Sequence, residues 1–263
     1  MNRITLLTLG SAVAACSWSS PASPSSAPSA TPASRQEYDD TAQAVSSTTV
    51  PGGNGGDVGA MADALALASG AKVPGLALQS DGRFHGQRLG VDSTFMVSCK
   101  DSAGTVLAQC DATTNEATVT LSWSGNFHTS LLDATVMRDG MWTITGLQTA
   151  TATFSGDSSF SSDSTLKSVF RPGTTVTYMF DTMATYTAIQ IDTKKREIIG
   201  GSASFDVSGH HTATGSGTGD PVDAGFAIHA EITFHADHTA DLVLDGAQHY
   251  TINLMSGTIV RVN

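Results

Sequence analysis

The sequence predicts an all-β protein: a large antiparallel meander that closes into a barrel, a half-barrel or a sandwich. One short helix and a disordered N-terminal tether precede it. Apolar and polar residues alternate with period two through most of residues 80–263, which is typical of strands that bury one face. Turn-forming clusters such as Arg138-Asp139-Gly140 recur at short intervals. The chain lacks the regular alternation of strands and helices that a parallel sheet requires.

The clearest strand covers residues 222–234. Val222, Phe226, Ile232 and every second residue between them are apolar, whereas the alternate positions include His229 and Glu231. We therefore expect Phe226 and Ile232 to be buried and His229 to face solvent.

The N-terminus has the layout of a secretory signal peptide. Arg3 is followed by the apolar stretch 4–9 and then by small residues, and this apolar core is too short to span a bilayer. The four residues Val13-Ala14-Ala15-Cys16 resemble the lipobox of bacterial lipoproteins, in which an aliphatic residue and two small residues precede an invariant cysteine. The resemblance covers residues 1–16 only.

The resemblance implies that residues 1–15 are removed and that Cys16 becomes a lipidated N-terminus, which palmitate would label. The protein would then be anchored to the membrane by its acyl chains in the cell envelope, and in the outer membrane if the source has two membranes. The formal charge of −11 argues against nucleic acid as a partner, because binding phosphates needs a basic surface.

Residues 16–56 are rich in Ser, Pro, Ala and Gly, and such a composition buries too little apolar surface to offset chain entropy. We expect this segment to be the disordered tether. Within the helix and connector of residues 57–79, Asp57 is a candidate cap, and Met61 and Leu65 recur at helical spacing over 58–69. The β domain follows at residues 80–263.

One helix is too small to cover the apolar face of so large a sheet. The sheet must therefore bury that face against itself, as a barrel or a sandwich does, and the helix would plug an open end of a barrel. An outer-membrane barrel also alternates, but the lipid anchor, the few aromatic residues and the C-terminal Val260-Arg261-Val262-Asn263 argue against it.

Cys99 and Cys110 remain once Cys16 is assigned to lipid, and an even number of cysteines in an oxidising compartment favours a disulfide. If Gly104-Thr105 form a two-residue turn, Cys99 lies directly opposite Cys110. A turn at residues 102–104 would instead place the two cysteines on opposite faces of the hairpin, which favours free buried thiols.

A second hairpin predicts the environment of His229 and Glu231. A loop at residues 236–238, with His238 in a left-handed conformation, pairs Phe234 with Ala240 and keeps every apolar residue on one face. On the other face it pairs Glu231 with Val243 and His229 with Asp245.

If the following loop covers residues 246–248, His249 also lies beside Asp245. His229, Asp245, His249 and Glu231 are therefore candidate metal ligands or general-base partners. The alternative interpretation is a solvated outer face with compatible cross-strand pairs.

We expect an envelope module without enzymatic activity or a cofactor, which binds an apolar small molecule or has a structural role. The alternative is a metal-binding protein or hydrolase that uses the cluster around His229. The sequence indicates no particular protein partner, and residues 80–263 resemble no characterised family.

Overall fold

A computed structural model describes residues 33–50, 56–88, 91–170, 173–215 and 222–262. Two helices and twelve strands follow one another along these residues: α1 (Arg35–Thr49), α2 (Asp57–Ala68), β1 (Ala77–Leu78), β2 (Phe84–Arg88), β3 (Val91–Lys100), β4 (Glu116–His128), β5 (Leu132–Thr145), β6 (Thr151–Lys167), β7 (Thr174–Asp192), β8 (Ile198–Gly215), β9 (Val222–Phe234), β10 (Thr239–Leu244), β11 (Gln248–Asn253) and β12 (Ile259–Val262).

All twelve strands belong to one sheet in the order of the chain, from β1 at one edge to β12 at the other. Each described strand pairs antiparallel with its neighbours in sequence, and β1 and β12 do not pair with each other. The predicted antiparallel meander is confirmed.

Strand β9 shows why the sequence forms this sheet. Phe226 and Ile232 are buried, whereas His229 and Glu231 between them are exposed. The face predicted from the alternation is therefore confirmed. We call the buried side of the sheet the inner face and the solvated side the outer face.

Helix α2 packs on the inner face against β3 and β4. The helix is strongly apolar, and Met61, Leu65 and Leu67 are almost completely buried. It matches the helix predicted for residues 58–69 to within one residue at each end.

Helix α1 corrects the prediction that all of residues 16–56 form a disordered tether. Residues 35–49 are helical, and the helix begins with a capping box in which Ser34 accepts from the Glu37 backbone and the Glu37 side chain accepts from the Ser34 backbone. Residues 16–32 and 51–55, with Cys16 and the signal peptide, lie outside the described residues. The prediction failed because α1 is polar, so it carries no apolar stripe of the kind that marks a helix.

The polar side chains of α1 bind the sheet directly. Asp39 accepts from the Tyr250 hydroxyl at 2.8 Å and pairs with Arg261. Gln43 donates to the Lys167 carbonyl at 2.9 Å and accepts from the Val169 backbone at 2.8 Å. These contacts satisfy groups that would otherwise be costly to bury.

A buried ion pair joins α2 to β5. Asp57, the first residue of α2, contacts the Arg138 guanidinium, and both side chains are at most 4% exposed. The guanidinium carbon also lies 5.2 Å from the Trp123 ring centroid and 5.1 Å from that of Phe160. The two rings give the buried cation further favourable contacts.

The Cys99–Cys110 disulfide is confirmed, with the two Cα atoms 5.4 Å apart. Of the two turns that the sequence allows, the one at Gly104-Thr105 does not form. The Asp101 backbone donates to the Thr105 carbonyl at 3.0 Å, so the loop covers residues 102–104 and Gly104 takes its left-handed position. The chain leaves the strand pairing after the single Lys100–Val106 bridge, and this departure frees Cys110 to reach Cys99.

Candidate functional site

A small gap lies between the helices and the inner face. The gap bounded by Val45, Asp57, Arg138 and Phe180 measures about 30 Å³, which is roughly enough for one or two water molecules. It is too small for an apolar ligand, because ligand pockets usually measure roughly 300–1,000 Å³.

A larger pocket lies at the first edge of the sheet, where α2 ends. We call this 780 Å³ space the edge pocket; it is lined by Leu67, Gly70, Ala71, Lys72, Val73, Pro74, Leu76, Ala77, Leu78, Gly82, Phe84, Val97, Ala108, Gln109 and Cys110. Its volume lies within the range of known ligand sites.

The edge pocket exists because the helices do not cover the whole inner face. Phe84 pairs with Leu78 on one side and with Phe95 on the other, so it points to the inner face. Phe84 and Val97 are only partly buried, and Leu78 is 52% exposed. Apolar side chains are thus left open to solvent where the helical cover ends.

The disulfide forms part of the edge-pocket wall. Ala108, Gln109 and Cys110 line one side of the pocket, and the bond from Cys110 to Cys99 fixes this irregular segment to β3. The Cys99–Cys110 disulfide therefore holds one wall of the edge pocket in place.

Among the described residues that line the edge pocket, Lys72 is the one that carries a charge. Its side chain is exposed and makes no ion pair with another described residue. A free ammonium beside an apolar space favours a ligand with a negative group and an apolar body. Sequence reasoning missed this site because it assigned residues 70–79 to a simple connector.

A second cluster lies on the outer face around His229. Its Nδ1 atom is 2.7 Å from Asp206 Oδ1, and its Nε2 atom is 3.7 Å from Glu231 Oε1. The hydrogen bond with Asp206 raises the pKa of His229 above its usual 6.5, desolvation opposes this effect, and the charges of Asp206 and Glu231 add to it. The two carboxylates therefore favour the charged form of an exposed imidazole.

Asp245 is near His229 but serves a different purpose. Its carboxylate accepts from the His229 backbone at 2.8 Å and from the Tyr38 hydroxyl at 2.8 Å. It therefore fixes the end of β10 and the start of α1.

His249 does not join the cluster, and the prediction that it lies beside Asp245 is wrong. Leu244 pairs with Gln248 and Val243 pairs with His249, so the loop covers residues 245–247. The loop starts one residue earlier than predicted because Asp245 itself adopts a left-handed conformation. The two hydrogen bonds of its carboxylate stabilise this conformation.

The other hairpin agrees with the prediction. His238 has a φ of 63°, Phe234 pairs with Ala240, and Glu231 pairs with Val243. Asp206 was missed because it belongs to β8, and the pattern does not determine the register between β8 and β9. Within the described ranges, no group of three or more His, Cys, Asp or Glu side chains is arranged to hold a metal ion.

No protein-family model, curated protein or solved structure matches this chain. In the part of the chain that the structure describes, no helix has both the length and the apolar character needed to cross a membrane.

Proposed function

We propose that the protein is a lipid-anchored module of the cell envelope, without enzymatic activity, that holds an anionic amphiphile with one acyl chain in the edge pocket. The sheet acts as a half-barrel around α1 and α2. The lipid on Cys16 keeps the domain at the membrane, where such amphiphiles are found.

The observation that carries the proposal is the edge pocket, with its volume of 780 Å³ and its mainly apolar lining. Leu78, Phe84 and Val97 supply surface that is partly open to solvent. Covering it with an acyl chain is favourable by about 25 cal/mol per Å² of apolar surface removed from water.

Lys72 supports the choice of an anionic headgroup. An acyl chain alone needs no charged partner, whereas a carboxylate or phosphate at the pocket mouth gains a charge-assisted contact with the ammonium. The strongly negative protein would otherwise repel such a headgroup.

The test measures binding of cis-parinaric acid, a fluorescent fatty acid, to the mature chain carrying Cys16→Ala. This substitution removes the protein's own acyl chains as competitors. We expect saturable binding of one probe per chain, with weaker binding of the methyl ester because it lacks the negative charge.

Two pairs of variants locate the binding site. Leu78→Asp places a charge on the pocket wall and is expected to weaken binding at least tenfold; Leu131→Asp, at an exposed leucine outside the pocket, is its control. Lys72→Glu should remove the preference for the acid over the ester, and Lys195→Glu, in the turn after β7, should not.

Breaking the disulfide provides a separate arm. Cys99→Ala/Cys110→Ala releases the segment 108–110 from β3, so binding should weaken even if circular dichroism shows a folded sheet. If parinaric acid does not bind, or if the pocket variants bind like their controls, the proposed ligand site is wrong.

The anchor is tested independently in cells. Cys16→Ala should abolish labelling by radioactive palmitate and move the protein from the membrane fraction to the soluble fraction. Continued labelling would show that Cys16 is not the lipidated residue.

A further inference from the structure

The outer surface of β6 lies between two strands that carry exposed methionines. Ser159 and Ser161 of β6 face outward. Their partners on β5 and β7 also face outward, and the outward positions of these two strands include four methionines. These are Met137, Met141, Met179 and Met183, which are 55–62% exposed. Small residues between rows of long side chains leave a groove.

The groove consists of two adjoining hollows of about 620 Å³ and 360 Å³. Both are lined by Met137, Ser161 and Asp181, so they form one continuous depression. We call it the outer groove. It runs from Ser124 on β4 to His229 on β9 and is separate from the edge pocket.

The outer groove has an uncompensated negative charge. Asp139, Asp163 and Asp181 line it, and their carboxylates make no hydrogen bond or ion pair with any described residue. On the outer face of β4–β9, the described residues include one Lys or Arg, Lys167 at the end of β6. Isolated carboxylates on such a surface attract cations and repel anions.

We propose that the outer groove docks an extended segment of a basic polypeptide in which Lys or Arg alternates with apolar residues. The methionines supply adaptable apolar contacts, and the free carboxylates supply charge complementarity. Alternation suits this surface, because apolar and acidic side chains alternate across the strands. Met137 and Asp181 flank Ser161, and Asp139 and Met183 flank Ser159.

The probe is the fluorescein-labelled hexapeptide Lys-Leu-Lys-Leu-Lys-Leu, titrated by fluorescence anisotropy into the mature chain carrying Cys16→Ala. The same peptide with Ser or Glu in place of Lys provides the comparison. We expect the Lys peptide to bind at least tenfold more tightly than the Ser peptide and to weaken as salt is raised, because exposed charges are screened. The Glu peptide should not bind.

Two double variants separate the charge from the thioethers. Asp139→Asn/Asp181→Asn and Met137→Ser/Met183→Ser should each weaken binding of the Lys peptide at least tenfold. The matched control, Asp241→Asn/Met255→Ser, changes an exposed carboxylate and an exposed methionine outside the outer groove and should stay within twofold of the parent.

Equal binding of the Lys and Ser peptides would overturn the proposal, as would groove variants that bind like the control. Sedimentation analysis tests whether a second copy of the chain occupies the outer groove instead. A dimer of the parent chain that the groove variants abolish would assign the outer groove to a second copy and would also overturn the proposal.

Discussion

The Tyr250 hydroxyl of β11 donates to Asp39 of α1 at 2.8 Å, although the two residues are 211 positions apart in sequence. Arg261 of β12 contacts the same carboxylate. Burial is the main cause that raises the pKa of Tyr250 to about 12, so this hydroxyl remains protonated and keeps its hydrogen to donate. The contact makes α1 part of the folded domain.

Tyr250→Phe is therefore expected to lower the free energy of unfolding by about 1–3 kcal/mol, because it removes a hydrogen bond to a charged acceptor. Urea denaturation measures the change. Tyr38→Phe is the matched control, since its hydroxyl binds Asp245 in a more exposed setting, and it should cost less than about 1 kcal/mol. A loss for Tyr250→Phe no larger than that for Tyr38→Phe would contradict the buried contact between Tyr250 and Asp39.

The Asp57–Arg138 pair gives a second test. Arg138→Met leaves a carboxylate buried without its partner and should destabilise the protein by about 3–5 kcal/mol. Asp57→Leu combined with Arg138→Met removes both charges and should recover part of that loss. Thermal and urea unfolding of the single and double variants measure the coupling.

Lys100 and Glu116 provide the control for the buried pair. Their side chains are 42% and 35% exposed and lie 2.7 Å apart, so Glu116→Gln should cost less than about 1 kcal/mol. A loss for Arg138→Met as small as that for Glu116→Gln would show that α2 does not dock through Asp57.

The Asp206–His229 contact predicts a pH dependence. Because the folded-state pKa of His229 is raised above 6.5, its contribution to stability is fully present below 6.5 and is lost as pH rises through the higher folded value. NMR titration of the imidazole should give a pKa above 6.5, and Asp206→Asn should lower it. An unchanged His229 titration in Asp206→Asn would refute the contact.

Much of the sheet follows from the sequence, because a period of two assigns each residue to a face. The inward positions of β9 were predicted for this reason. The same periodicity leaves the register open by steps of two residues. Pairing Leu242 with Tyr250, as observed, or with Ile252 keeps the same residues on the inner face. That ambiguity placed His249 beside Asp245.

Features determined by tertiary contacts were harder to predict from the sequence. Helix α1 reads as a polar segment, and its burial depends on distant partners such as Tyr250, Arg261 and the backbone near Lys167. The edge pocket depends on where α2 stops covering the inner face, and no local sequence pattern predicts that position. The disulfide was predicted correctly from cysteine number, although its turn was not.

Native mass spectrometry of the Cys16→Ala protein, purified from the soluble fraction of the cells without added lipid or detergent, tests directly whether the edge pocket holds an amphiphile. We predict a population carrying one noncovalent single-chain anionic amphiphile per chain, which Leu78→Asp depletes and Leu131→Asp retains. A parent protein that is entirely unliganded, or an adduct retained equally by both variants, would contradict the proposed amphiphile site in the edge pocket.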